Sequence, residues 1–348
     1  MTTLAEAMRR ARELGWSVLG RTSPNPAVGA VVLDAAGQVV GEGATAPPGG
    51  PHAEVAALAQ AGERARGGTA VVTLEPCDHT GRTGPCSVAL LAAGVARVVV
   101  AVPEPTGQAG GGAERLRAAG VAVELGVEQA EAEDGALAPW LLGVREQRPQ
   151  VVWKVAATLD GRVAAADGTS RWVTGPDARA AVHRLRATCD AVLVGSGTAL
   201  ADDPQLTVRD VPGADHQPLR VVLDRRGRVP ATARVHDDAA PTLVSRAAGP
   251  AELLAELWDR DARRVLLEGG PTLAAAFLRA GLVDELVLHL APQLLGAGPA
   301  LTGDLGITTM AGALQWRMLD VTTLGRDVQV RYRPTRHTGS PRPTEEGN

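Results

Sequence analysis

The chain has 348 residues, with 35 basic residues against 39 acidic ones and a formal net charge of −4. At about 150 residues per domain this length suggests two domains, and 45% apolar with 21% charged residues fits a globular chain rather than a disordered or membrane-spanning one. A mildly acidic balance and an aromatic content of 2% speak against a nucleic-acid binder, which needs a basic field and stacking platforms.

At the start, Leu4, Met8 and Leu14 recur at roughly helical spacing with Glu6 and Glu13 between them. That pattern fits neither a secretory signal nor a transit peptide, and no run reaches the ~18 apolar residues of a membrane span, so a cytoplasmic protein is expected. Short Val-rich runs at 28–33, 70–74, 95–102 and 121–124 read as strands. Helical stretches at 53–61, 87–93 and 113–119 alternate with them, each followed by a stop glycine, Gly62, Gly94 or Gly120. This alternation is βαβ material. A further helix is expected over 128–147, broken at Pro139, followed by a charged linker. A second series of strands is expected at 151–157, 191–194, 220–223, 264–267, 285–290 and 328–332. The domains are therefore set at 1–148 and 149–333, with a polar, Pro-rich tail over 334–348 expected to be disordered.

Cys77, Cys86 and Cys189 are too few and too odd in number for a disulfide framework. Two of them fall in a suggestive order: His52-Ala-Glu54, then Glu75-Pro-Cys77, then Gly84-Pro-Cys86. One histidine and two thiolates make a three-ligand set for Zn²⁺ that leaves a fourth position for water. His-x-Glu followed by Pro-Cys and a second cysteine marks zinc-dependent base deaminases, in which the glutamate is a proton shuttle and not a ligand. Glu54 takes that role here. A structural zinc site, with His79 as a fourth ligand, or a buried and unliganded cysteine pair is the competing reading.

Eight residues separate the two cysteines, where deaminases of cytosine and nucleic acid have two. The segment Glu75-Pro-Cys-Asp-His-Thr-Gly-Arg-Thr-Gly-Pro-Cys86, with Ser23-Pro-Asn-Pro-Ala-Val-Gly29 upstream, resembles the deaminase half of the bifunctional riboflavin-biosynthesis deaminase/reductases. The resemblance implies that Asn25, His79 and Arg82 bind substrate. Where that family carries Asp-Pro-Asn-Pro, this chain has Glu104-Pro-Thr106-Gly107.

The second half resembles the same family's reductase domain, through Lys154-Val-Ala-Ala-Thr-Leu-Asp-Gly-Arg162, Gly168-Thr-Ser-Arg-Trp-Val-Thr174, Asp202-Asp-Pro-Gln-Leu-Thr-Val-Arg209 and Glu268-Gly-Gly-Pro-Thr-Leu273. No Gly-x-Gly-x-x-Gly follows its first strand, so an ordinary dinucleotide-binding fold is not indicated. The Gly-Gly-Pro-Thr turn, between a strand and a helix expected at 273–280, offers backbone N–H groups to a phosphate. The resemblance implies an NADPH site lined by Ala156, Trp172, Thr198, Asp202, Arg225, Gly270, Pro271, Thr272 and Leu273. It also implies substrate contacts from Ser170, Arg186, Leu206, Arg209 and Glu268, the two arginines and the hydroxyl gripping a phosphate. Lys154, Asp202 and Glu268 are the candidates for orienting the open-chain sugar and moving its proton. Lys154 is the chain's single lysine.

The implied fold class is α/β, a cytidine-deaminase-like αβα domain followed by a dihydrofolate-reductase-like α/β domain. The implied function is deamination of a phosphorylated diamino-pyrimidinone, then NADPH-dependent reduction of its ribosyl group, with no nucleic-acid or membrane partner and a homodimer formed through the reductase domain. The alternative is a monofunctional reductase carrying a degenerate, structural-zinc deaminase domain.

Overall fold

The computed structural model describes residues 1–79, 84–107 and 109–335. Arg82 and residues 336–348 lie outside the described residues. The first half runs α1 (Leu4–Ser17), β1 (Gly29–Leu33), β2 (Val39–Ala44), α2 (Ala53–Ala61), β3 (Thr69–Leu74), α3 (Cys86–Ala93), β4 (Arg97–Val102), α4 (Gly112–Ala118), β5 (Ala122–Leu125), α5 (Gln129–Glu133) and α6 (Ala138–Glu146). Its five strands are ordered β2-β1-β3-β4-β5, with β1 antiparallel to both neighbours and the rest parallel. A capping box between Thr3 and Glu6 starts α1, which packs Ala11 and Gly15 against Gly29 of β1. On the opposite face α2 lies on β2, so close that a Cβ on Gly41 or Gly43 would fall 2.1 Å from Ala57 O or 2.2 Å from Ala53 O. These two glycines set the depth at which the helix carrying His52 and Glu54 sits.

The second half continues with β6 (Gln150–Thr158), α7 (Pro176–Arg186), β7 (Ala191–Gly195), α8 (Ser196–Asp202), β8 (Leu219–Leu223), β9 (Thr242–Ser245), α9 (Pro250–Trp258), β10 (Arg264–Leu267), α10 (Pro271–Arg279), β11 (Glu285–Ala291), β12 (Trp316–Leu324) and β13 (Asp327–Pro334). These eight strands are ordered β12-β13-β11-β6-β10-β7-β8-β9. The six from β11 to β9 are parallel, and the β12–β13 hairpin is antiparallel at one edge. Helices α7, α9 and α10 all begin with a glycine cap followed by proline, whose missing N–H costs nothing in the first turn. One face of the sheet buries Leu253, Leu254, Leu257 and Phe277 from α9 and α10. The other buries Val152, Val192 and Leu266 beneath Leu185, Cys189, Ala199 and Leu206.

Several expectations need correction. Pro139 does not break a helix: it occupies the first turn of α6, where its ring is tolerated, and the chain before it forms the separate short α5. The expected linker is a tight, fixed turn. Arg148 grips Asp284 through two bonds of 2.7 and 2.8 Å, Asp284 also accepts the Val151 N–H, and Gln150 is buried. Pro334, expected to open the tail, is the last residue of β13 and pairs with Trp316. Strands β2, β9 and β12 were not anticipated.

Candidate active sites

Three short segments converge at the first site. His52 caps the N-terminus of α2 without a side-chain bond to the helix, because its ring turns toward the two cysteines. Cys77 follows β3, and Cys86 opens α3, its backbone N–H donating to Cys77 Sγ at 3.4 Å. The ligand atoms of His52, Cys77 and Cys86 lie within 4.8 Å of one another, and they form the one such metal-capable group among the described residues. His52 Nδ1 is 3.2 Å from Cys86 Sγ and 3.6 Å from Cys77 Sγ. A tetrahedral zinc, with Zn–S near 2.3 Å and Zn–N near 2.0 Å, sets nitrogen and sulfur ligands about 3.5 Å apart, so the donor set fits that ion.

The Cys86 side-chain hydrogen bond, followed by the His52 ring, pulls the Cys77 thiol down to about 4, the direction a thiolate ligand needs. Cys86 is pushed the other way by Cys77 and by burial. Glu54, in the first turn of α2, is buried, and burial raises its carboxyl above the ordinary range. The cavity in front of these groups has a volume of about 470 Å³ and is lined by Asn25, His52, Glu54, Cys77, His79 and Glu104, among others. His79 thus reaches the cavity but not the ligand group.

Glu104 closes its own turn. Its carboxylate accepts the N–H groups of Thr106 and Gly107 and the Thr106 hydroxyl, while its N–H donates to Glu75. The departure at 104–107 is therefore a satisfied loop on the cavity rim.

The second group of residues sits around the middle and carboxyl ends of the strands. Lys154 on β6 shares a sheet face with Val152, and Glu268 follows β10 on the same side. Arg186, at the end of α7, meets Glu268 in a two-pronged pair of 2.7 and 2.9 Å and donates to Thr207 O at 2.9 Å. Against the burial that would raise it, Arg186 holds Glu268 below the usual carboxylate range. Burial lowers Lys154, with Glu268 opposing and Arg186 reinforcing the shift. Gly270 caps α10 and donates its N–H to Thr198 Oγ1 at 3.2 Å, which joins the starts of α8 and α10. Leu273 packs over Gly195 and Gly269, while a Cβ on Gly197 would meet nothing within 4 Å. Bare backbone facing open space beside two helix N-termini is the environment a dinucleotide phosphate takes.

Residues 149–330 match the model of the RibD C-terminal domain, and residues 1–102 match that of the cytidine and deoxycytidylate deaminase zinc-binding region. The riboflavin biosynthesis protein RibD of Mycobacterium tuberculosis is 49% identical over 328 residues, covering 94% of this chain and 96% of its own. The chain belongs to the RibD family. RibD of Escherichia coli is 40% identical over 92% of the chain and 96% of its own length. Among solved structures, Acinetobacter baumannii RibD superposes with a TM-score of 0.85 at 40% identity, covering 96% of this chain and 99% of that one. A Thermotoga maritima diaminohydroxyphosphoribosylaminopyrimidine deaminase/5-amino-6-(5-phosphoribosylamino)uracil reductase gives 0.85 at 35% identity, covering 95% and 99%. A deaminase half and a reductase half are thus joined in one chain, and the bifunctional reading holds over the monofunctional alternative.

Against that family frame, the expected residues separate into clusters. Asn25, His52, Glu54, Cys77 and His79 meet at one cavity. Lys154, Arg186 and Glu268 interact at the other site. Arg186 pairs with Glu268, while Arg209, near enough to Arg186 to feel its charge, donates to Thr207 Oγ1 at 2.8 Å. Leu206 is buried at φ 55° in the same core as Val192 and Leu266. Trp172 is 64% exposed with Arg179 stacked 4.4 Å above its ring. Arg171 donates to the Asp202 carbonyl at 2.6 Å. Arg225 and Thr272 are exposed; Ala156, Ser170 and Pro271 are half-buried.

One group went unnoticed in the sequence. His289 on β11 pairs in register with Ala156, is fully buried, and bonds Gln329 at 3.1 Å. Burial, then Lys154, pushes its pKa down to about 4. It was hidden because it sits inside an apolar run that reads as core strand. No helix among the described residues is long and apolar enough to cross a membrane.

Proposed function

We propose that the first half removes the 2-amino group of 2,5-diamino-6-ribosylamino-4(3H)-pyrimidinone 5′-phosphate hydrolytically, and that the second half reduces the ribosyl group to ribityl with NADPH. The observation that carries this is the His52, Cys77 and Cys86 group beside a buried Glu54 in a cavity lined by Asn25. Zinc at His52, Cys77 and Cys86 would supply a Lewis acid that makes water acidic near neutral pH. Glu54, shielded from solvent, holds a proton and delivers it to the leaving amine. Asn25 and His79 face the cavity and orient the pyrimidine; Arg82 is placed with them by family resemblance.

In the second half, Lys154 and Glu268 hold the sugar, and Arg186 keeps Glu268 ionised. Gly270, Pro271, Thr272 and Leu273, with Ala156, Trp172, Thr198, Asp202 and Arg225, would hold NADPH, which supplies the hydride. Ser170, Leu206 and Arg209 complete the substrate side. Two copies would associate through the reductase halves, where the edge strand β12 leaves Met318 and Val321 more than half exposed.

The test is incubation with the diamino substrate, with and without NADPH, followed by mass spectrometry. Ammonia and the deaminated pyrimidine should form without the cofactor, and the ribityl product only with it. Ribityl product formed without ammonia release refutes the assignment of the first half.

A further inference from the structure

The sheet of the second half carries a row of polar side chains across four adjacent strands. Glu285, Val287 and His289 of β11 stand in register with Val152, Lys154 and Ala156 of β6, and Val152 and Val287 share one core face. Side chains alternate along a strand, so Lys154 and His289 rise from that same face as diagonal neighbours. On one flank, β13 sets Gln329 in register with His289. On the other, β10 pairs Leu267 with Trp153, which brings Glu268 beside Lys154. The order across the face is therefore Gln329, His289, Lys154 and Glu268, with Arg186 of α7 closing over Glu268.

His289 is fully buried, and only one of its ring nitrogens is used. Nε2 lies 3.1 Å from Gln329 Oε1, whereas the buried Nδ1 has no hydrogen-bond partner among the described residues. A carbonyl oxygen can only accept, so Nε2 carries the hydrogen and Nδ1 keeps a lone pair while the ring is neutral. Burial and the nearby Lys154 cation keep it neutral. The two nitrogens point to nearly opposite sides of an imidazole. Since β11 lies between β13 and β6, a ring whose Nε2 faces Gln329 turns its Nδ1 toward the strand of Lys154. Both Glu268 oxygens bond Arg186, and among the described residues the Lys154 ammonium bonds neither of them. A buried acceptor without a donor thus stands diagonally across from an ammonium without an acceptor, an arrangement that costs stability unless the bound state uses both.

We propose that His289 is a positioning residue for the reduction. In the substrate complex its Nδ1 lone pair accepts one Lys154 N–H and leaves the other two for the sugar, while Gln329 fixes the tautomer that keeps that lone pair free. A carboxylate in the same place would form an ion pair with the ammonium; a neutral acceptor aims it and leaves its charge for the substrate. This rests on the reductase reading above.

The test compares full-length His289→Gln and His289→Asn with wild type. A glutamine amide reaches the Nε2 position and can still bond Gln329, whereas an asparagine amide offers its oxygen near the Nδ1 position. NADPH oxidation with the deaminated pyrimidine is measured beside ammonia release from the diamino substrate. His289→Gln should lower kcat for reduction by about fivefold or more, the scale of one hydrogen bond, with the KM for NADPH within about twofold. His289→Asn should recover most of that kcat, and ammonia release should match wild type in both. A purely structural histidine gives the opposite order, because the variant that keeps the Gln329 bond is then the better one. That order, or an unchanged kcat in His289→Gln, overturns the inference. The tautomer is read independently by nitrogen NMR of the wild-type imidazoles, with His289→Gln supplying the assignment. A hydrogen on Nε2 and a bare Nδ1 are expected; a hydrogen on Nδ1 overturns the inference. If His289→Asn gives no folded protein, the tautomer and His289→Gln decide. A wild-type chain that oxidises no NADPH sinks the reductase reading and this inference with it, whereas an active wild type matched by His289→Gln sinks only the inference.

Discussion

The Arg186–Glu268 pair offers the most quantitative check on the reductase site. Both side chains are largely buried, at 11% and 13% exposure, and the fork is satisfied on both prongs and again at Thr207 O. Arg186→Met fills a similar volume but leaves a carboxylate out of water with Lys154 as its remaining cation. Breaking a buried pair from one side costs about 3–5 kcal/mol. Lys154 softens this, so the lower figure is expected. For a domain of this size that is a fall of roughly 6–12 °C in melting temperature, read by thermal denaturation at neutral pH. Adding Glu268→Leu removes the orphaned charge and should recover more than about 1 kcal/mol. Since Arg186 holds Glu268 below its ordinary value of 4.5, the pair's contribution is complete above that pH and fades as the pH falls through the lowered value. The gap between wild type and variant should therefore narrow in acid. A single variant melting within about 2 °C of wild type at pH 7 would refute the buried-pair account.

Other expectations concern single groups. Glu54→Gln should keep its zinc, by elemental analysis, while ammonia release falls by about 100-fold or more. Cys77→Ser should lower the zinc-to-protein ratio; an unchanged ratio would place the metal elsewhere. Lys154→Arg should lose NADPH oxidation while deamination continues, because a planar fork cannot replace a compact ammonium beside Glu268 and Arg186. Burial lowers His289 to about 4, so the unfolded chain takes up its proton first and stability drops as the pH falls from about 6.5 toward 4. His289→Gln should flatten that part of the pH–stability curve.

The His52, Cys77 and Cys86 group was legible because each residue sits in its own short motif beside a predictable helix start or strand end. His52 and Cys86 open helices whose bounds follow from apolar runs and stop glycines. Strand β2 was hidden for the opposite reason. Gly41 and Gly43 depress strand propensity, yet they are there to let α2 approach, and this closeness is a tertiary demand that the local pattern does not display. Strand β12 escaped because both of its faces are largely open, leaving no alternation to read. Arg186 could be a surface residue or a ligand on sequence grounds; its partner lies 82 positions away, and only the folded sheet brings them together. Asp190 and Asp284, both half-buried, and the buried His289 have partners from distant segments, so spacing carried no sign of them.

Strand β10 is four residues long, about 13 Å at 3.3 Å per residue. The turn at its amino end faces the deaminase cavity, and the Glu268–Gly270 turn at its carboxyl end belongs to the reductase site. The two turns therefore lie at opposite ends of one short strand. What covalent fusion secures is stoichiometry: each translation event delivers one deaminase and one reductase, so the ratio of the two catalysts cannot drift with expression.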